Sequence, residues 1–527
     1  MNKYMGNKDR VLDSIYKEIV EFTGGDFQTL FDAFAGTNNV GKFFKQKGYR
    51  IIANDINDVS FVLGKAYIEN NQYPAFKGLF SDVNDDFYSC RRLKQAVDSA
   101  DFTSLMNKLV ALNSQVFHPE HLTEDYDRIV MVLTYLSFLA DRRDYSSDDG
   151  ADFTITEENF IFRNYCEEGA NSEYVNLVTW KSLKAQATAL KKLIAKLEAA
   201  GPEEKAKIEK TVDEVTAYFE SFGEKPFAMA KFTNGLSLIG SLCESEIVQQ
   251  DAYVHAKLVG IYEKLLKLKN RNNHIGRRMF FTKEHGERID LILNIILYWF
   301  RNRIISEQEY YYLLCSLLES VALFSNTSAT YQAFYKTYRP NTLQEFRLVI
   351  PEVITSDREH LVYQQDTFNL IGEIDAASSV LYLDPPYNWR LYDSNYHLLN
   401  LIAKYHTIPD LTEYEKGIIG ASGEYRLGKE YDYTNYNRRS TFEELLFQLV
   451  MKSNSDYIAI SYSNSESNHN REAIEDSIQV ISDFFQNPAH FSEFKVVNLN
   501  QIYNFESRKN QKKTPITELL FLAKKNN

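Results

Sequence analysis

Thr29–Leu30–Phe31–Asp32–Ala33–Phe34–Ala35–Gly36–Thr37–Asn38–Asn39–Val40–Gly41 reads as a strand, a tight glycine-containing turn and the start of a helix. Further on, Arg50–Ile51–Ile52–Ala53–Asn54–Asp55 reads as a second short strand that ends in an acid. A turn whose backbone can approach a ligand closely, followed by an acid that can grip ribose hydroxyls, is the logic of a Rossmann-like nucleoside site. The turn is not G-x-G-x-x-G, the form that seats a pyrophosphate on a helix N-terminus. Asp32 beside the turn would repel phosphate and suits a cation. S-adenosylmethionine, with a sulfonium and an ammonium group, is a ligand of that kind.

A second stretch supplies the chemistry. In Leu381–Tyr382–Leu383–Asp384–Pro385–Pro386–Tyr387 an apolar strand ends abruptly in an acid, two prolines and an aromatic ring. The prolines fix φ and remove two backbone donors. What remains is a rigid corner of acceptors: the Asp384 carboxylate and the carbonyls of Asp384 and Pro385. Tyr387 adds a flat aromatic face. The corner suits a planar exocyclic amine, which offers two N–H donors and a π-face; adenine is such a base. A strand-ending turn with an ordinary Pro-Pro is the bland alternative for these residues taken alone.

These motifs, in this order, resemble the D12 (alpha) class of N6-adenine DNA methyltransferases, in the subgroup often found beside restriction enzymes. Tyr4–Met5–Gly6–Asn7–Lys8 resembles the N-terminal cofactor motif, which implicates Tyr4, Met5 and Lys8 in cofactor binding. Asp32–Ala33–Phe34–Ala35–Gly36, with Thr37, resembles the glycine motif, although many relatives have a second glycine sooner. Asp55, followed by Ile56, resembles the ribose acid. Tyr363–Gln364–Gln365–Asp366 resembles the strand whose acid meets the cofactor's adenine. Asp384 to Tyr387 is similar to the catalytic motif, and the resemblance gives Asn388 and Arg390 a part in shaping the target pocket. Helix packing is an equal alternative for the aromatics Tyr392 and Tyr396 that follow.

The resemblance extends to Phe160–Tyr165, Gly276–Thr282 and the stretch from Ile305 to Lys336, and covers most of the chain outside about 171 to 275. Ile458–Ser463 and Thr517–Leu522 look like late strands of the same sheet. The fold implied is α/β: a Rossmann-like methyltransferase sheet, mostly parallel with an antiparallel edge hairpin, interrupted by a largely helical insertion. The expected catalytic domain is discontinuous, 1–75 and 355–527. Residues 76–354 form the insertion and target-recognition region, with a helical hairpin at about 180–223.

That hairpin rests on periodicity. Leu183, Ala187, Leu190, Ile194 and Leu197 recur at spacings of 4, 3, 4 and 3. After Gly201–Pro202, Ile208, Val212, Val215, Phe219 and Phe222 repeat them. Two heptad-like helices facing each other across a Gly-Pro turn predict a self-contained unit. Ile289–Phe300 and Glu307–Leu323, strongly apolar and aromatic, predict the core of the insertion, with Tyr310–Tyr311–Tyr312 used for packing.

Composition sets limits. The chain has 527 residues, of which 44% are hydrophobic, enough for two or three domains. No apolar run is long enough to span a membrane, and Met1–Asn2–Lys3–Tyr4 starts no signal-peptide core. The four cysteines, Cys90, Cys166, Cys243 and Cys315, lie far apart, which predicts thiols in a reducing cytoplasm and no metal site. The formal net charge of −13 argues mildly against nucleic acid. Binding depends on local patches, however. Lys264, Lys267, Lys269, Arg271, Arg277, Arg278 and Lys283 form one, in the region where the class keeps its recognition apparatus. Of these, Lys267, Arg271, Arg277 and Arg278 are expected on the DNA backbone, and a solvated face is the alternative.

The expected reaction is site-specific transfer of a methyl group from S-adenosylmethionine to N6 of a flipped adenine in double-stranded DNA. The context implied by the resemblance is restriction-modification, with a cognate restriction enzyme or other defence subunit as partner. Three alternatives stand beside it. N4-cytosine methylation uses the same grip, but those relatives more often have Ser in place of Asp384. Methylation of a protein amide or an RNA base is disfavoured because Asn is the usual first residue of the corner for amides. The third is a subunit that binds cofactor and DNA without turnover.

Overall fold

The structure, a computed structural model, describes residues 8–80, 96–97, 99–113, 124–141, 159–175, 190–192, 194–220, 238–270, 275–328, 330–375, 378–385, 392–425, 439–463, 471–504 and 514–526. They form two compact units. The first comprises Met1–Ile161, Glu284–Thr412 and Gly428–Asn527; the second comprises Phe162–Lys283 and Glu413–Leu427.

The first unit is built on a seven-stranded sheet. Its strands are β1 (Thr29–Asp32), β2 (Arg50–Asn54), β3 (Leu361–Tyr363), β4 (Ser379–Leu383), β5 (Tyr457–Ser463), β6 (Phe491–Asn504) and β7 (Thr514–Lys525). Their order across the sheet is β6-β7-β5-β4-β1-β2-β3. The five strands from β5 to β3 run parallel. β7 pairs antiparallel with β5, and β6 antiparallel with β7. This is the mostly parallel sheet with an antiparallel edge hairpin that the sequence predicts.

The central strands are apolar on both faces because both faces are covered. The pleat sorts them by alternation. Phe31, Ile52, Leu381, Leu383, Ile458, Ile460 and Phe521 enter one cluster, packed under Leu446 and Leu449 and under Ile481 and Phe485. Leu30, Ile51, Val380, Tyr382, Ala459 and Leu520 enter the other, under Ile15, Ile19, Val40 and Phe44. Each such aliphatic or Phe side chain contributes roughly 1.5–3 kcal/mol when fully buried. Helix α1 (Leu12–Thr23), α2 (Asn39–Gln46) and α3 (Asp58–Gly64) alternate with β1 and β2.

Strand order fixes where a ligand binds. The chain moves outward from β1 through β2 to β3, then crosses back to the other side of β1 and continues with β4 and β5. The reversal leaves a crevice at the carboxyl ends of β1 and β4, the usual ligand position in an open α/β sheet.

The structure shows what the inserted helices pack against. Helices α4 (Lys283–Arg301) and α5 (Glu307–Phe324) fall within the interval 76–354, yet by contact they group almost wholly with the sheet-bearing unit. Ser306 starts α5 with a capping box closed by Glu309. Its aromatics then bind it to that unit: Phe61 meets Tyr311 edge-on, and the Tyr67 hydroxyl donates to Glu319 at 3.0 Å. Conversely, Glu413–Leu427 leaves the sheet unit for the second one. Tyr310 and Tyr312 are buried, as packing residues should be.

In the second unit, Leu190, Ile194, Leu197, Ile208 and Val212 do share one cluster. They share it with Val254, Leu258 and Ile261 of the helix Ala252–Asn270 and with Ile239 and Leu242. The hairpin is therefore not self-contained. A heptad stripe on Pro202–Glu220 wide enough to take a partner on each side serves two neighbours at once. Leu183, Ala187 and Phe222 lie outside the described residues.

Candidate cofactor and catalytic site

β1 ends at Asp32, whose register partner on β4 is Tyr382. Asp384 therefore stands just past the end of β4, on the other lip of the crevice. The glycine turn follows β1 directly. Ala35 N–H donates to Asn54 O at 2.9 Å, and Gly36 N–H to Asp55 Oδ2 at 2.8 Å. Gly36 holds φ 51° and Asn38 holds φ 61°, left-handed values that glycine and asparagine tolerate best. Asn38 fixes the turn by donating to Ser60 O at 3.0 Å. Phe34, Ala35 and Gly36 are half-buried and Thr37 is buried.

Asp32 is 1% exposed. Its Oδ1 has no hydrogen-bond partner among the described residues. Burial, then the charges of Asp384 and Asp55, push its carboxyl up to about 8, against the pull of the Phe34 and Gly41 amides. A buried carboxylate with one idle oxygen is costly unless a cation arrives. That is the fit expected for the ammonium or sulfonium of S-adenosylmethionine. The sequence also places a backbone turn here instead of a phosphate cradle.

Asp55 is half-buried, and burial raises its carboxyl as well. Oδ1 accepts from Asn57 N–H at 2.9 Å and from Asn57 Nδ2 at 3.0 Å. The acid thus clasps the glycine turn to the end of β2, in addition to any ribose it meets. Ile56 beside it is 58% exposed, an apolar surface at the rim. Asp366 is exposed and caps the short helix Thr367–Leu370 by accepting from Phe368 N–H at 2.9 Å and Asn369 N–H at 3.3 Å. Asn54, which the sequence reading passed over, ties this segment to β2: it accepts from Gln365 N–H and donates to Thr367 Oγ1, each at 3.1 Å.

Lys8 is buried and touches Asp384. Its Nζ lies 3.2 Å from Asp384 Oδ2 and 2.5 Å from Glu518 Oε1. Glu518, on β7, also accepts from Ser461 Oγ of β5 at 2.6 Å. Burial raises the Asp384 carboxyl; Lys8 opposes that rise and Glu518 adds to it. Glu518 and Ser461 were read only as strand residues. The available signal was a lone acid inside the apolar run Thr517–Leu522, since a buried carboxylate needs a cation.

Tyr4, Met5, Pro386, Tyr387, Asn388, Arg390 and Arg271 lie outside the described residues, and Pro385 is buried. Lys267 has a described place only as a position on the helix Ala252–Asn270. Arg277 is exposed, on a two-stranded ladder with Glu173–Val175; its guanidinium meets Glu173 Oε1 at 2.7 Å and Glu167 O at 3.0 Å. Arg278 corrects the sequence reading. It is 2% exposed and donates to the carbonyls of Asn164, Asn171 and Gly420 at 3.1, 2.9 and 2.9 Å. A guanidinium engaged inside the second unit joins the helix Phe160–Tyr165 to two turns, at Asn171 and Gly420, and has no reach to a phosphate.

The profile of one family, the D12 class N6 adenine-specific DNA methyltransferases, matches residues 4–184 and 246–413. The chain belongs to that family. The profile spans the N-terminal segment, β1 and β2 and the Asp384 corner; it leaves out most of the helical hairpin and the strands β5 to β7. Among curated relatives, type II methyltransferase M.NlaIII of Neisseria lactamica is 36% identical over 189 residues, 36% of this chain and 52% of that protein. Modification methylase LlaI of Lactococcus lactis subsp. lactis is 35% identical over 200 residues, 37% of this chain and 30% of that protein. Modification methylase StsI of Streptococcus sanguinis is 28% identical over 281 residues, 52% of this chain and 38% of that protein. The chain thus spans between about a third and a half of the length of these relatives. No solved structure matches it.

Proposed function

We propose that this chain methylates N6 of adenine in double-stranded DNA, using S-adenosylmethionine, at a specific sequence. The observation that carries the reading is the pair of acids at the crevice: Asp32 with an idle buried oxygen ends β1, and Asp384 follows the neighbouring strand β4. One acid suits a cationic cofactor and the other a neutral amine. Family membership supplies the base and the polymer.

S-adenosylmethionine, when bound, supplies an activated methyl group. The chain's own residues do the rest. Asp32 would hold the cofactor's cationic end and Asp55 its ribose, with Ile56 and Asp366 near the adenine. The target amine lies inside the duplex, so the base must leave the stack. Asp384 and the Pro385 carbonyl would accept the two N6 hydrogens, and Tyr387 would stack on the ring. N6 is a poor nucleophile because its lone pair is delocalised into the ring. Two acceptors that draw its hydrogens toward a tetrahedral arrangement localise that pair. The Asp384 carboxylate stabilises positive charge that develops on N6. The rate gain then comes from positioning and preorganised charge, with no covalent intermediate on the protein.

The second unit, Phe162–Lys283 with Glu413–Leu427, would carry target recognition. Lys267, Arg271 and Arg277 remain the basic residues proposed for the DNA backbone, with Asn388 and Arg390 at the target pocket. The chain would act in the cytoplasm beside a restriction enzyme or another defence subunit; the relatives named type II methyltransferase and modification methylase agree with a modification role. A tritium-transfer assay on duplex DNA, RNA and protein tests the reading. Label is expected in duplex DNA, released as N6-methyl-deoxyadenosine on digestion. Label in RNA or protein alone would overturn it.

A further inference from the structure

Asp384 is surrounded by charge from several elements. Asp32, at the end of the neighbouring β1, repels it, and Asp55 in turn repels Asp32. Tyr382 belongs to its own strand. Lys8 reaches it from the segment ahead of α1, and Glu518 holds the same ammonium from β7. Lys8 is thus shared between the half-buried Asp384 and the buried Glu518, and Ser461 Oγ anchors the latter at 2.6 Å. A long Lys side chain has many rotamers. Pinning its ammonium at Asp384 requires a second buried acceptor, and Glu518 is placed to be that acceptor.

We propose that Glu518 is a positioning residue for the reaction: through Lys8 it holds the Asp384 carboxylate in place and keeps it ionised to accept the target amine. The proposal rests on the reading of Asp384 as the amine acceptor. Glu518 has two opposed effects. As an acceptor it keeps Lys8 against Asp384, which favours the ionised acid. As a charge it takes part of the ammonium's field and adds its own repulsion, which favours the protonated acid. A fixed cation between two acids therefore sets Asp384 midway: ionised at neutral pH, yet still a strong acceptor. Glu518 and Ser461 both lie beyond the residues matched by the family profile.

Three variants separate the two effects. Glu518→Gln keeps an acceptor for Lys8 and Ser461 and removes only the charge. Glu518→Leu removes both. Lys8→Met removes the cation. Two readouts are taken on each: the carbon-13 titration of the Asp384 carboxyl in the protein without DNA, assigned with Asp384→Asn, and the acid limb of methyl transfer in single turnover. Glu518→Gln should move the Asp384 midpoint and the acid limb to lower pH. Lys8→Met should move both to higher pH, by about 1 to 3 pH units for loss of a neighbouring opposite charge; Glu518→Leu should move both in the same direction by less, because Lys8 keeps its charge and loses only its second anchor. Glu518→Gln is near-isosteric, so it decides the matter even if Glu518→Leu does not fold. An unmoved midpoint in a folded Glu518→Gln protein, or a shift of the same sign in both Glu518 variants, would overturn the proposal. A wild-type protein that methylates nothing would instead sink the functional reading, while the carboxyl titration still decides this one.

Discussion

Asp32→Asn should make the cofactor-free protein more stable and its cofactor affinity weaker. The side chain is buried and its carboxyl stands at about 8 against an ordinary 3.8. A carboxyl raised on folding stabilises fully below the ordinary value, and that contribution is lost as pH rises toward the folded one. Between 3.8 and pH 7 the loss is roughly 4 kcal/mol, at 1.36 kcal/mol per pH unit. Asparagine removes the charge and loses little else. One amide oxygen can still accept from Phe34 and Gly41, and the new NH2 takes the place of the unpartnered Oδ1. Chemical denaturation from pH 5 to 9 should show wild type losing stability with pH more steeply than the variant, the two separating by up to about 4 kcal/mol at neutral pH. Cofactor binding should reverse the ranking. A lost charge-assisted contact costs about 1.5–3 kcal/mol of affinity. Wild-type binding at pH 7 should also release a proton as Asp32 ionises against the cation, seen by calorimetry in buffers of different ionisation enthalpy; the variant should release none. An equally pH-sensitive variant, or wild-type binding without proton release, would refute the assignment of Asp32.

Asp384→Ala should abolish methyl transfer while calorimetry shows cofactor binding largely intact, because the acid is assigned to the target amine. Asp55→Ala should weaken cofactor affinity and also loosen the glycine turn, since Asp55 Oδ2 accepts from Gly36 N–H; unchanged affinity would mean it is not the ribose acid. Arg278→Ala should cost about 3 kcal/mol or more, because three carbonyls lose their charged donor, and should leave the salt dependence of DNA binding unchanged. If Arg277 tracks the DNA backbone, Arg277→Ala should cost at most about 1 kcal/mol of stability and flatten the log–log salt slope by about 0.9. Deleting 181–222 should expose Val254, Leu258 and Ile261 and unfold the second unit, detected as rapid proteolysis of that unit.

The sheet was legible because its grammar is local. Thr29–Gly41 and Arg50–Asp55 each carry strand, turn and acid within a few residues, and Leu381–Asp384 ends where its prolines say it must. The edge hairpin followed from two apolar runs joined by a polar loop. What was not legible depends on residues far apart in the chain. Lys8 and Glu518 are separated by 510 positions, and no spacing links them. Arg278 looked like part of a basic run, yet its partners sit at 164, 171 and 420. Charge pattern alone cannot tell a buried guanidinium from a solvated one. The neighbours of helices α4 and α5 were not legible for a related reason. An apolar helix shows that it is buried, not against what, and contacts such as Phe61 with Tyr311 decide the neighbour.

The most direct test is single-molecule sequencing of DNA from a methylation-deficient cell expressing the wild-type chain, with Asp384→Ala as control. The account predicts N6-methyladenine confined to one sequence context, absent from the control. N4-methylcytosine in that DNA, or no mark from a folded protein that binds cofactor, would contradict it.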